Sequence, residues 1–225
     1  MAVSGTITFN PTMADCTVNA FGRLLIRADQ LTPQHLRDAR FEANLLCQTW
    51  QQKGVNLWTV ELQTLTTVQG TATYTLAAGT ISLLDTYITA EGQDMVLPPV
   101  SRTDYASQPN KTQQGRPNMM WVNRQSPTPT MTLWPTPDAA YVISYYRLRQ
   151  LYDVNLDSTG NPDVPLRFTD AFISDLSWRL SRLWRPDLED KRKQDAMDSW
   201  NLASGDDVEE GIQMFISPSI GAYFP

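Results

Sequence analysis

The side chains able to carry acid–base, nucleophilic or metal chemistry in this sequence are few, and their spacing decides most of what they can do. There is one histidine, His35, and there are two cysteines, Cys16 and Cys47. A histidine triad or a two-histidine metal site lacks its second member, and two thiols with one imidazole fall short of the four ligands of a structural zinc. A thiol enzyme would pair Cys47 with His35 as its base. The two stand twelve residues apart on one expected helix, which separates them by about 18 Å at ~1.5 Å of rise per residue. No phosphate loop, GxGxxG turn, GxSxG elbow or HExxH helix occurs. Paired carboxylates are the remaining catalytic option, since two of them in different environments cleave a glycosidic bond. The candidates are Asp187, Glu189 and Asp190, and then Asp206, Asp207, Glu209 and Glu210. Both groups lie among other charges, and the first follows Pro186, where negative charge stabilises a helix start, so they read as solvated segments. No cofactor is implied.

Binding chemistry has more to offer. Arg179, Arg182 and Arg185 recur every third residue and Lys191, Arg192 and Lys193 follow, but Asp175, Asp187, Glu189 and Asp190 are interspersed. Ion pairs within the helix or between subunits are the expectation. Over the whole chain, 18 basic against 24 acidic residues leave a net charge of −6, which argues against a broad basic face gripping a phosphate backbone. Trp121, Trp134, Tyr141, Tyr145 and Tyr146 lie in or beside expected strands, where sheet core is the first reading and a contact surface the second. Trp121 and Trp134 are also the residues a carbohydrate would stack on.

The elements that must position these residues fall into zones within the 225-residue chain. Residues 1–56 are helical. Asp15 and Thr17 are candidate N-caps of a first helix carrying Val18, Phe21, Leu24, Leu25 and Ala28. Thr32 caps a second, with Pro33 at its first position and Gly54 as a stop. Leu36, Ala39, Ala43, Leu46, Cys47 and Trp50 fall on one face of that helix, and Phe41 and Leu45 on its flank. Residues 57–155 change period. Trp58, Val60 and Leu62 alternate with polar residues, and apolar runs at Tyr74 and Leu76, 84–88, 119–122, 131–133 and 141–145 are divided by glycine and proline turns, among them Glu91-Gly92-Gln93. Residues 156–204 are helical again, with a stripe of Phe172, Ile173, Leu176, Leu180, Leu183 and Trp184, then a charged helix whose apolar contacts are Leu188, Ala196, Trp200 and Leu202. The expected fold is α+β: a helical bundle formed by both chain ends, an inserted antiparallel β-sandwich or barrel, and an extended C-terminal arm over 205–225. The arm begins acidic and then exposes Ile212, Met214, Phe215, Ile216, Ile220, Tyr223 and Phe224, which have no helical period and call for a partner surface. Met1–Met13 has neither a basic leader nor an apolar run, and no stretch is long and apolar enough to span a bilayer. A protein made and kept in the cytoplasm, or built into something assembled there, with reduced cysteines, is the expectation.

Several segments of the middle zone resemble a known family. Ser82-Leu83-Leu84-Asp85-Thr86-Tyr87-Ile88, Ser101-Arg102-Thr103-Asp104-Tyr105, Pro109-Asn110-Lys111, Gly115-Arg116-Pro117, Trp121-Val122-Asn123-Arg124-Gln125 and Leu133-Trp134-Pro135-Thr136-Pro137 resemble head-to-tail adaptor proteins of tailed phages, in particular the tail tubular protein A-like type of short-tailed phages. The zone order resembles theirs from about Asp15 to Ser204, whereas the motifs cover the β-region alone. The resemblance implies a non-enzymatic virion protein at the head-to-tail interface, assembled in the host cytoplasm. It implies one subunit of a ring, usually twelvefold, under the portal protein, whose helices line the DNA channel and whose β-domain faces nozzle or other tail proteins and tail fibres. By position and character, residues 206–225 then match an arm that reaches the portal. A closed ring needs two different interfaces on each subunit, for which Arg116, Trp121, Arg124, Trp134, Arg179, Arg182 and Arg185 are the expected residues. Genomic DNA would pass without tight binding, as the net charge allows, and no membrane is involved. A tail-associated cell-wall glycosidase or a carbohydrate-binding tail component is the alternative.

Overall fold

A computed structural model of the chain describes residues 9–53, 57–125, 127–155 and 160–205. Residues 206–225, and with them Ile212, Met214, Phe215, Ile216, Ile220, Tyr223 and Phe224, lie outside the described residues, as does Gly54. The described chain is α+β, with five α-helices and two antiparallel sheets.

Helix α1 spans Met13–Arg23 and α2 spans Pro33–Trp50. Thr12, rather than Asp15 or Thr17, caps α1: its hydroxyl accepts the Asp15 N–H at 3.2 Å and the Asp15 carboxylate accepts the Thr12 N–H at 3.0 Å. Asp15 is thus the third residue of a capping box, and the hydrogen bonds from Thr12 hold its carboxyl below the usual range. With that start, Cys16, Thr17, Ala20, Phe21 and Leu24 face inward, while Val18 is exposed. The helix ends at Arg23, so Leu25, at φ 63° and 70% exposed, and Ala28 fall beyond the stripe expected for them. Thr32 caps α2 as its sequence predicts, with Pro33 at the first position.

Helices α4, Thr169–Trp184, and α5, Glu189–Ser204, follow near the other chain end. Between them Arg185 breaks the helical conformation ahead of Pro186. Phe172, Ile173, Leu176 and Leu180 join Met13, Phe21, Leu46 and Trp50 in one core, to which Leu151 and Val154 also belong. Both chain ends therefore contribute to it. Burying each such side chain stabilises by roughly 1.5–3 kcal/mol. Leu183 and Leu202, read as contacts, are instead 54% and 82% exposed.

The middle of the chain forms β1 (Val60–Thr66), β2 (Thr73–Thr75), β3 (Thr80–Ala90), β4 (Gln93–Val96), helix α3 (Arg102–Ser107), β5 (Met119–Asn123), β6 (Thr130–Trp134) and β7 (Val142–Arg149). The sheets run β1-β7-β3-β4 and β2-β6-β5. Neither closes on itself, which removes the barrel alternative among the described residues. Tyr74, Met120, Met131 and Leu133 of the smaller sheet share a second core with Ile88, Ile143 and Tyr145 of the larger.

Three local readings change. Glu91 and Gly92 both have positive φ, 53° and 76°, so this separator is a two-residue hairpin loop that pairs β3 with β4. Ser101 caps α3 through a capping box with Asp104 in a stretch expected to hold only strands. In β1 the phase is shifted by one residue: Leu62 is 48% exposed and Glu61, Gln63 and Leu65 form the more covered face.

Candidate functional site

The reactive side chains serve the fold. His35 is the third residue of α2, and its Nδ1 accepts the Thr32 N–H at 3.1 Å and lies 2.7 Å from the Thr32 hydroxyl oxygen. Because Nδ1 accepts that N–H, Nε2 carries the ring proton. The ring stacks on Trp184 with centroids 3.8 Å apart and meets Phe21 edge-on at 5.1 Å. Cys16 and Cys47 are free and buried. Burial, with a smaller contribution from Asp15, pushes the Cys16 thiol up to about 11, and burial, with Asp163 and Asp153 adding, pushes Cys47 up to about 12. A thiol held protonated in this way is neither a nucleophile nor a ready metal ligand. Among the described residues no cluster of His, Cys, Asp and Glu comes together to hold a metal ion.

The carboxylates behave similarly. Asp187 is clamped by Arg185, whose Nε and Nη2 donate to it at 2.9 and 2.8 Å, and these bonds hold its carboxyl below the usual range. Glu189 and Asp190 occupy the first turn of α5, where the helix dipole favours negative charge. Asp206, Asp207, Glu209 and Glu210 lie outside the described residues.

The three arginines go to different places: Arg179 and Arg182 lie on α4, where three residues advance the helix by about 300°, and Arg185 follows its last residue in a non-helical conformation. Arg179 turns inward. Its Nη2 donates to the Thr49 hydroxyl at 2.9 Å, its Nε to Asp175 at 3.3 Å, and its Nη1 lies 3.8 Å from Glu42. Asp175, 4% exposed, also accepts the Trp50 indole N–H at 2.9 Å and faces the Lys53 ammonium at 3.8 Å. This cluster ties α2 to α4. Arg182 is exposed and lies over the Trp178 ring at 4.9 Å. Arg185, besides Asp187, donates to the Leu24 carbonyl at 3.2 Å.

A second ionic cluster escaped the sequence reading. Arg147 and Arg149 on β7 converge on Glu61 of β1: Arg147 Nη2 donates at 2.8 Å and Arg149 Nε at 2.7 Å. Arg149 also holds Asp163 in a bidentate pair at 2.5 and 3.1 Å. Two arginines at i and i+2 lie on one face of a strand, and that spacing was the available signal. It points to a shared acidic partner but cannot say which strand supplies it.

Trp121 and Trp134 lie on one face of the β2-β6-β5 sheet, opposite the face that carries Met120, Met131 and Leu133 into the core. The segment containing α3 covers them. Tyr105 stacks on Trp121 with centroids 5.5 Å apart, and the Trp134 indole N–H donates to the Asn110 carbonyl at 2.9 Å. Both tryptophans are half-buried, and Arg116 and Arg124 are exposed. What this arrangement offers is a pair of partly covered aromatics together with two exposed cations, which is contact chemistry.

No curated protein is significantly similar to the chain. The family model described as SU10 adaptor protein matches residues 13–210. That stretch begins on the first residue of α1, passes through every described helix and strand and runs beyond the end of α5. On that match, the chain belongs to the SU10 adaptor protein family.

Proposed function

We propose that the protein is a head-to-tail adaptor subunit that joins copies of itself in a ring, twelvefold, under the portal protein. The ring continues the DNA channel and attaches the nozzle or other tail proteins and the tail fibres. Family membership assigns a phage adaptor with a structural role at the head–tail junction, and the match along every described element is the observation that carries the reading. In the finer reading, residues 1–56 and 156–204 are two halves of a helical bundle, 57–155 an inserted β-sandwich, and 205–225 an arm that docks on the portal through Ile212, Met214, Phe215, Ile216, Ile220, Tyr223 and Phe224. Exposed apolar side chains in both the helical and the β-regions support it: Leu25 and Phe41 at 70% and 65% among the helices, and Val96 at 81% on β4. A closed ring uses two unlike faces of each copy. Of the seven residues expected there, Arg116, Trp121, Arg124, Trp134 and Arg182 are proposed for those contacts, while Arg179 and Arg185 make bonds within the subunit. The net charge of −6 favours a passage that DNA crosses without adhering.

Mass measurement of the purified protein, with and without portal protein, tests this. A ring, or a complex with portal, is expected at micromolar concentration. A protein that stays monomeric and joins no portal overturns it.

A further inference from the structure

The larger sheet keeps one face open to solvent. Along β7, Ile143 and Tyr145 enter the second core, so Val142, Ser144 and Tyr146 lie on the opposite side. Leu62 of β1 stands directly across from Tyr146, and Tyr87 of β3 stands across from both Ser144 and Val96. Leu62, Val142, Tyr146 and Val96 are exposed, which makes this face apolar as well as open. Its charges have one sign. Residues 57–100 contain no Lys, Arg or His, and their exposed acids are Asp85, Glu91 and Asp94. Asp94 lies on the open face beside Thr89, whose hydroxyl donates to it at 2.6 Å. None of the three has an ion pair among the described residues.

Helix α2 carries the complement on the side it turns away from its core. Arg37, Arg40 and Phe41 are neighbours on that side at spacings of three and four, and all three are exposed. Neither arginine has an ion pair among the described residues. The acids of the helix are engaged on its flank, where Asp38 accepts from Gln34 and Glu42 lies 3.8 Å from Arg179. Phe41 and Val96, 65% and 81% exposed, are both uncovered in one subunit, so the two surfaces do not meet within a chain. We propose that they meet between chains: the outward side of α2 in one copy docks on the open sheet face of the next, Phe41 on Tyr87 and Val96, and the arginines toward Asp85 and Asp94. Opposite charges at the edge of an apolar contact select this pairing over sheet on sheet or helix on helix, each of which brings like charges together. Contact between unlike faces leaves the same two faces open on every growing assembly, which ends only when it closes on itself. The proposal rests on the ring of the adaptor reading and adds two docking surfaces to the contacts named for it.

Charge reversal in the full chain tests it, read as the mass of the assembly against protein concentration. Arg37→Glu with Arg40→Glu should weaken self-association at least about tenfold, and so should Asp85→Arg with Asp94→Arg, because each places like charges across the contact. All four reversals in one chain restore opposite signs and should return the assembly to within about threefold of the native concentration dependence. A misfolded variant does not regain association in this way, so the rescue separates a contact from a folding defect. A native ring that none of the reversals weakens overturns the proposal and leaves the adaptor reading standing, as do two reversals that weaken the ring without mutual rescue. Loss of portal binding with self-association intact gives the affected surface to the portal and also overturns it. A native protein that stays monomeric and joins no portal removes the adaptor reading and the proposal together.

Discussion

Glu61 compensates two arginines that the fold has taken out of water, since Arg147 and Arg149 are 8% and 9% exposed. Arg147 above all, and Arg149 with it, donate to the carboxylate and hold Glu61 below the usual range. A carboxyl lowered in the folded state gives stability that is complete above its unfolded value of about 4.3 and is lost as the pH falls through the folded value. Glu61→Gln should therefore be less stable at neutral pH by about 2 kcal/mol, because Arg147 keeps only neutral partners. Its stability should also fall less steeply than the native protein's below about pH 4.3. Urea midpoints across pH check this, and parallel acid limbs for the two proteins would contradict it. The local pattern could not have shown this residue's role. Apolar alternation places Val60 and Leu62 inward and Glu61 in solvent, where acids ordinarily sit, while its partners lie on a strand more than eighty residues away. His35 was legible only by exclusion. One histidine rules out a triad, but a capping box with histidine in the acidic position departs from the usual Glu or Gln pattern.

Elements were legible where punctuation and period agreed. Thr32 and Pro33 set the start of α2, and of its expected stripe Ala39, Ala43, Leu46, Cys47 and Trp50 are the face it buries while Leu36 is 39% exposed. For α1 three good capping residues stand close together, and composition does not choose among Thr12, Asp15 and Thr17; the reciprocal bonds between the first two do. The same limit hid β4. Glu91-Gly92 reads equally as a break between strands and as the tightest loop that joins them. Two glycines separate these cases by experiment. Gly92 has φ 76° and nothing within 4 Å of an added Cβ, so the cost of Gly92→Ala is backbone strain alone, about 1–2 kcal/mol. Gly22 is also open around its Cβ position but lies inside α1 with no positive φ, so Gly22→Ala should stabilise by up to about 1 kcal/mol. Thermal melts should move in opposite directions. A stable Gly92→Ala protein would argue against the two-residue hairpin.

At the scale of the whole molecule, the helical core drawn from both chain ends and the second core drawn from both sheets are separate clusters, and the chain crosses between them. The order of zones made that arrangement readable, because neither pair of helices has enough apolar surface alone. The crossing itself was not readable, since it depends on groups that become neighbours only after folding. Asp163 sits at its centre. Its carboxylate holds Arg149 of β7 and accepts the Tyr152 N–H at 3.0 Å, and its carbonyl accepts the Trp58 indole N–H at 3.1 Å. Trp58 in turn packs on Phe168, a member of the helical core, with centroids 4.7 Å apart. Cooperativity between two cores needs such contacts, for each core otherwise opens at its own free energy. In the native protein, exchange of amides in α2 and α4 and of those in β3 and β7 should respond together to denaturant. Asp163→Ala removes the carboxylate yet keeps the carbonyl, so it should split these responses, with the β-strands protected less than the helices because Arg149 loses one of its two carboxylate partners and keeps Glu61 and the Gln150 carbonyl. Coincident loss of protection in the variant would mean that the two cores stay coupled without the Asp163 carboxylate, through remaining contacts such as Trp58 on Phe168, and that the ionic junction only fixes their orientation.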